Sequence, residues 1–289
     1  MMDISLSAHA PLRIGTRRSN LAVVQAEGIR DSLQKIAPDR SYKIETLHAL
    51  GDQDQSTALY DFGAKSLWTS ELEEKLTSGQ LDVITLPDGA VVGTSSVRRS
   101  AQPRRLYPHL RFANLRGNVK TRLAKVDDPA SEYTSILMSA AGLARIGLQS
   151  RVNQYLGSKD GGIFHAVGQG ALGLEIRKGD AQMQELLSQL ADTKSTLACL
   201  AERSLMRTLE GGCSVPIGVE TEWIQPDQLR ISAIVVSLDG SQSVEDTLDA
   251  RIETTDEADV LGQNLAARLV QAGAGAILNE INANRPAKD

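Results

Sequence analysis

Short β-like runs and amphipathic helices alternate through the first half of this 289-residue chain, and that alternation restricts the fold more than any other feature. Leu12-Arg13-Ile14-Gly15 reads as a strand, followed by a helix in which Ala22, Ala26, Ile29, Leu33 and Ile36 recur at helical spacing behind Ser19, a natural N-cap. Tyr42 to Leu47 is the next strand, Ser70 to Leu76 lies in a helix, and Leu81 to Ile84 is again a strand. A second series opens at Val91-Val92-Gly93. It continues with a helix after Ser96, a strand near Leu110–Leu115, a helix over Val119–Val126 and a strand at Ser135–Met138. The pattern predicts α/β units with largely parallel sheets.

One connection breaks it. Only Thr85-Leu86-Pro87-Asp88-Gly89 separates the strand ending at Ile84 from the one opening near Ala90, whereas a parallel crossover needs roughly a dozen residues. The chain either turns back there as a hairpin or passes between domains. Beyond about Lys194 the grammar changes: Leu229–Leu238 and Ser243–Ile252 alternate around Asp239-Gly240, a hairpin turn pair. Thr254 and Glu257 then have the spacing of a capping box, ahead of a helix with Ala258, Leu261, Leu265 and Leu269 on its apolar side. This tail reads as a separate small α+β domain.

Composition narrows the partners. Hydrophobic residues make up 41% and charged ones 23%, as in a folded globular chain, and 31 basic against 36 acidic residues leave a net charge of −5. That charge, with aromatics at only 3%, argues against nucleic-acid or anionic-membrane partners. The two cysteines, Cys199 and Cys213, give no disulfide framework, and four scattered histidines with no Cys-x-x-Cys give no metal site. No apolar run reaches a membrane span and the first residues lack a signal-peptide pattern, so the expectation is a soluble cytoplasmic protein.

Arginines placed in turns carry the chemistry. Arg17 and Arg18 precede a helix start, Arg98 and Arg99 follow Gly93-Thr94-Ser95-Ser96, Arg116 lies in Leu115-Arg116-Gly117-Asn118, and Arg122 follows within the next helical turns. Helix N-termini and guanidinium groups both favour anions, and the carboxyl ends of strands are where open α/β sheets bind ligands. Any one of these could be an ordinary surface arginine. Together they point to a polyanionic ligand. Cys213, in Glu210-Gly211-Gly212-Cys213-Ser214-Val215-Pro216, sits where glycines let a bulky group approach, which suits a thiol presented for attachment as well as it suits a plain free cysteine. Cys199, in an apolar run, reads as a packed helix residue. Ala166 to Ala171 (AVGQGA) lacks the strand and glycine spacing of a dinucleotide loop, and Lys65 lacks that of a P-loop.

These stretches resemble the porphobilinogen deaminase, or hydroxymethylbilane synthase, family. The resemblance rests on Ile14 to Ala22, Gly93 to Arg99, Leu115 to Val119, Ala141 to Leu148, Ala166 to Ala171 and Glu210 to Gly218, in the family's order. It implies two periplasmic-binding-protein-like α/β domains plus a small C-terminal α+β domain. Domain 1 would be residues 1–85 with 166–190, domain 2 residues 86–165 and domain 3 residues 191–289. It implies a transferase of haem and tetrapyrrole biosynthesis that joins four porphobilinogen units head to tail with loss of ammonia, and it implies a monomer. A dipyrromethane primer would be held by a thioether to Cys213. Arg17, Arg98, Arg99, Arg116, Arg122 and Arg145 would bind acetate and propionate groups, with Ser19, Lys65, Ser95 and Ser96 as further anion contacts.

The chain departs from the family at the short connection already noted. After the strand matching Leu81–Ile84 the family has a His-Ser-x-Lys-Asp-x-Pro stretch whose aspartate stabilises charge on the pyrrole nitrogens. Here about forty residues of the family pattern are absent, far more than a trimmed loop. Asp88, in a Pro-Asp-Gly turn, is ordinary turn chemistry rather than a substitute, and Asp82 is no better. The expectation is a family member with a compromised reaction. Its alternatives are a non-catalytic protein that binds porphobilinogen or pyrrole carboxylates, and an inactive splice or gene-model variant.

Overall fold

Residues 11–47, 89–212 and 214–283 are described by the structure, a computed structural model. The expected helix at Ser70–Leu76, the strand at Leu81–Ile84, most of the short connection, Lys65 and Cys213 lie outside them.

Strand β1 (Leu12–Arg17) leads to helix α1 (Asn20–Ile36) and to β2 (Tyr42–Leu47), which pairs with β1 in parallel, Ile14 opposite Ile44. Ser19 caps α1 as its sequence predicts, its Oγ accepting from the Ala22 amide at 3.4 Å. The helix buries Leu21, Ala26 and Leu33, while the other apolar positions of its stripe are half-buried. β1 runs two residues further than its sequence suggests, so Arg17 ends a strand rather than standing in a turn.

A second parallel sheet has the order β4-β3-β5, from β3 (Val91–Gly93), β4 (Arg111–Ala113) and β5 (Ser135–Ile136). The strands at 111 and 135 are shorter than the sequence suggests. Helices α2 (Val97–Leu106), α3 (Val119–Asp127) and α4 (Ala140–Arg145) follow β3, β4 and β5, and each starts on a side-chain cap: Ser96, Asn118 and Ser139. Ala90, Val92, Tyr107 and Leu110 form the small core of this sheet.

After two further helices, α5 (Ala181–Ser188) and α6 (Thr193–Thr208), the chain turns antiparallel: β6 (Ile217–Gln225), β7 (Gln228–Val236) and β8 (Ser243–Arg251) form one sheet. The loop between β7 and β8 runs from Ser237 to Gln242, wider than a two-residue turn, because Asp239 organises it. Its carboxylate accepts from Ser237 Oγ at 2.5 Å and from the Ser241 amide at 3.0 Å. Helix α7 (Thr255–Leu269) starts on the capping box of Thr254 and Glu257, and a kink at Gly273, whose φ is +110°, separates it from α8 (Gly275–Ala283).

Most of the buried apolar side chains of the described residues collect between this sheet and helices α6, α7 and α8. Leu205, Leu229, Ile231, Leu265 and Leu269 are 0% exposed, and the four apolar positions expected on α7 are all buried. α6 and α7 approach closely because small residues meet: a Cβ on Gly262 would run into the Ala201 carbonyl oxygen and come within 2.7 Å of the Leu205 nitrogen. Among the described residues, no helix is long and apolar enough to cross a membrane.

Two outcomes test this packing. Gly262→Ala is expected to destabilise the protein by about 1–3 kcal/mol, read from urea denaturation, because backbone rather than a flexible side chain must move. The Asp239 carboxyl is pushed down to about 2 by its hydrogen bonds from Ser237 and Ser241. A carboxyl depressed by folding contributes stability above its unfolded value near 4, and that contribution is lost as pH falls towards 2. The difference in urea midpoint between the wild type and Asp239→Asn should therefore be largest above pH 5 and shrink steadily between pH 4 and 2.

Candidate functional site

The carboxyl edge of the β4-β3-β5 sheet brings three loops together. Ser95 Oγ, just past β3, donates to the Leu115 carbonyl past β4 at 2.5 Å. An Arg99 guanidinium nitrogen donates to the Leu137 carbonyl past β5 at 3.3 Å. Ser96 is committed to capping, its Oγ accepting from the Arg99 amide at 3.4 Å. The start of α1 reaches the same edge, since buried Leu21 lies against Gly142 in the first turn of α4. Ser19 and Arg17 thus approach from the first sheet, Arg17 half-buried and Arg18 exposed.

Two of the predicted arginines are anything but surface residues. Arg98 is 7% exposed and Arg116 4%, and a buried guanidinium is tolerated only where acceptors surround it. The acceptors of Arg98 include the Phe164 carbonyl at 2.5 Å and the Gln169 side-chain oxygen at 3.1 Å. These two oxygens orient the guanidinium. The Arg116 carbonyl accepts from Lys125 Nζ at 3.2 Å, and half-buried Arg122 donates to the Gly117 carbonyl at 2.7 Å. Arg145 differs from the others: it lies in the last turn of α4, at the end away from the sheet edge, and is exposed.

The acceptors of Arg98 identify a segment whose chemistry the sequence did not reveal. Residues 164–169 run between α2 and the antiparallel unit. The Phe164 amide donates to Gln102 Oε1 at 2.6 Å, and Gln102 Nε2 donates back to the Phe164 carbonyl at 3.3 Å. His165 exchanges both backbone hydrogen bonds with Val219 of β6, at 3.0 and 2.9 Å. Gly168 takes φ of +67°, a left-handed turn that favours glycine, and its amide donates to Glu202 Oε2 at 2.7 Å. Glu202, on α6, is 8% exposed and also accepts from the Thr221 hydroxyl at 2.6 Å.

Sequence reasoning passed over Gln102, Gln169 and Glu202. Signals were present: Gln102 is one helical turn beyond Arg98 on the same face, and Glu202 interrupts an otherwise apolar stripe through Leu197, Ala201 and Leu205. Cys199, by contrast, is the packed residue expected; burial first, and Glu202 next, push its thiol up to about 11, so it stays protonated.

Guanidinium groups and capped helix starts at the carboxyl edge of a parallel sheet, next to an antiparallel α+β unit, define a mixed α/β protein equipped for an anionic ligand. Comparison with known sequences is specific. The family model described as "Porphobilinogen deaminase, dipyromethane cofactor binding domain" matches residues 12–85 and 83–185, and "Porphobilinogen deaminase, C-terminal domain" matches residues 196–271. The chain is 44% identical over 322 aligned positions to the porphobilinogen deaminase of Saccharomyces cerevisiae, covering 95% of this chain and 98% of the relative. It is 43% identical over 316 positions to that of Yarrowia lipolytica, covering 93% of each. With that of Schizosaccharomyces pombe it shares 40% over 316 positions, covering 92% of this chain and 94% of the relative. The chain belongs to the porphobilinogen deaminase family.

The same comparisons bear on the short connection. An alignment of 322 positions exceeds the 289 residues of the chain, so at least 33 positions of the yeast relative have no counterpart here. The first family model matches in two pieces that meet at residues 83–85, where the sequence departs from the family pattern.

The site's support is testable apart from any ligand. Gln102→Leu strands the buried amide of Phe164, whose carbonyl keeps its bond from Arg98, and it should cost about 1–3 kcal/mol in urea denaturation.

Proposed function

We propose that the chain is a hydroxymethylbilane synthase by descent, acting on porphobilinogen, in which the binding apparatus persists and deamination is slowed. The observation that carries this reading is the buried Arg98 at the sheet edge, oriented by the Phe164 carbonyl and the Gln169 side chain beside the Ser95 and Arg99 loops.

A dipyrromethane bears several carboxylates, and the guanidinium donors fit such a group: Arg98, Arg99, Arg116 and Arg122 would hold its acetates and propionates, Arg17 and Ser19 approaching from the first sheet, while Ser95 and Ser96, whose hydroxyls serve Leu115 and the α2 cap, enter on the family resemblance. When bound, it supplies the primer to which porphobilinogen units are added. Cys213 would anchor it through a thioether, which needs no dedicated base because the bond is not remade at each turnover. Lys65 and Arg145 enter this reading on the family resemblance alone. The reading takes residues 1–85 with 166–190, 86–165 and 191–289 as three domains of a cytoplasmic monomer, with no nucleic-acid partner in view of the net charge of −5.

Slowed chemistry is supported by the two-piece family match, which breaks where the family's aspartate-bearing stretch belongs. Loss of one electrostatic stabiliser of a developing charge commonly costs factors of about 10²–10³ in rate. The same observation favours a second reading, a protein that only binds porphobilinogen or its oligomers.

Intact-mass measurement separates the two. After exposure to porphobilinogen or preformed hydroxymethylbilane, the wild type should gain a dipyrromethane mass that Cys213→Ala abolishes. Porphobilinogen consumption should be slow, and should rise at least 100-fold when the family's missing segment is inserted after Ile84, on the scale expected of one electrostatic group. Binding without an adduct or any consumption supports the binding-only reading; no binding at all overturns both.

A further inference from the structure

We infer that Glu202 is a positioning residue for Arg98, acting through the 164–169 segment. The inference rests on the proposed binding function and deepens it.

Glu202 is a carboxylate buried on the core-facing side of α6, and burying a charge is costly unless its surroundings are arranged for it. Its two oxygens have separate tasks: Oε1 accepts from Thr221 of β6 and Oε2 from the Gly168 amide. One side chain therefore ties α6, β6 and the 164–169 turn together. The turn is already fixed at its other end, where His165 pairs with Val219. What Glu202 adds is a pin at Gly168, next to Gln169. Gln169 in turn spends its side-chain oxygen on Arg98 and on the Ala166 amide, at 3.1 and 3.3 Å, and its nitrogen lies 3.2 Å from His165 Nδ1. Without the pin, Gly168 is released from its left-handed turn, Gln169 is no longer aimed, and Arg98 keeps the Phe164 carbonyl while losing its second defined acceptor. A guanidinium recognises a carboxylate through a planar fork, so a change of orientation costs affinity even when the charge stays in place.

The prediction is a pattern across variants rather than one loss. Glu202→Gln keeps an oxygen for Gly168 and a nitrogen for Thr221 Oγ1, and porphobilinogen binding by equilibrium dialysis should stay within about threefold of the wild type. Glu202→Ala should weaken it about tenfold, but by less than about twofold in an Arg98→Ala background, because the route from Glu202 to ligand runs through Arg98. An equal penalty in both backgrounds, or none in either, overturns the inference. A ligand-independent reading accompanies it. The Arg98 Nε–H resonance, assigned from its loss in Arg98→Lys, should shift in Glu202→Ala and hold in Glu202→Gln; a resonance unmoved in Glu202→Ala also overturns the inference. If Glu202→Ala does not fold, Thr221→Val takes its place and should shift the resonance in the same sense by a smaller amount, an unmoved resonance again being the contrary result. Should the wild type bind no porphobilinogen while the resonance still responds, the functional reading falls and the positioning role stands.

Discussion

The burial of Arg98 is the constraint around which the centre of this protein is arranged. A guanidinium that is 7% exposed has to be surrounded by acceptors before the chain can fold around it. Two of them come from residues more than sixty positions away, the Phe164 carbonyl and the Gln169 side chain. Those acceptors need fixing in turn. Gln102 holds both backbone groups of Phe164, Val219 holds His165 and Glu202 holds Gly168. One buried charge thus accounts for why α2, the 164–169 turn, α6 and β6 meet where they do. It also links the parallel sheet to the antiparallel unit through hydrogen bonds, which have directions, in addition to apolar packing, which has none.

How much of this could be read from the sequence depends on whether the responsible interaction is local. Ser19, Ser96 and Thr254 were legible as caps because a cap is decided within three or four residues. The stripe on α7 and the parallel character of the first two sheets followed from periodicity and alternation for the same reason. Strand β6 was not foreseen, because Ile217–Gln225 alternates only in part and its place is set by pairing with β7. The hairpin loop was read too narrow, since Asp239 gathers Ser237 and Ser241 and widens the turn beyond two residues. In the site, the arginines were visible as residue types in turns. That Arg98 and Arg116 are buried and Arg145 exposed was not visible, because burial is decided by partners distant in sequence. Gln102 and Glu202 are the extreme case: each looks like a polar residue on a helix until the segment it holds is in place.

The distribution of core across the described residues bears on how a chain with a shortened middle holds together. Among the described residues, the antiparallel unit has long paired strands, three helices and a continuous set of buried leucines and isoleucines. The parallel β1–β2 pair has one helix, of which only Leu21, Ala26 and Leu33 are buried. Leu172, Leu174 and Ile176 alternate as a strand would, yet they lie outside any strand and are 38–40% exposed. The positions of the relatives that have no counterpart here fall, in sequence, where the two pieces of the family match meet at residues 83–85, more than a hundred residues before α6.

That separation sharpens the chemical argument. Arginines that grip carboxylates remote from a reacting carbon hold ground state and transition state alike. Such uniform binding lowers the concentration at which a ligand is captured and leaves the barrier from the bound complex unchanged. A group aimed at charge that appears only during reaction does the opposite, contributing little to capture and much to rate. On the function proposed above, Arg98 and Arg116 are groups of the first kind, and both are buried. The second kind, on the family's pattern, belongs to the stretch that the sequence lacks. That proposed function therefore separates affinity from turnover: capture of a pyrrole carboxylate rests on the arginines, and the barrier is lowered only by whatever proximity they enforce.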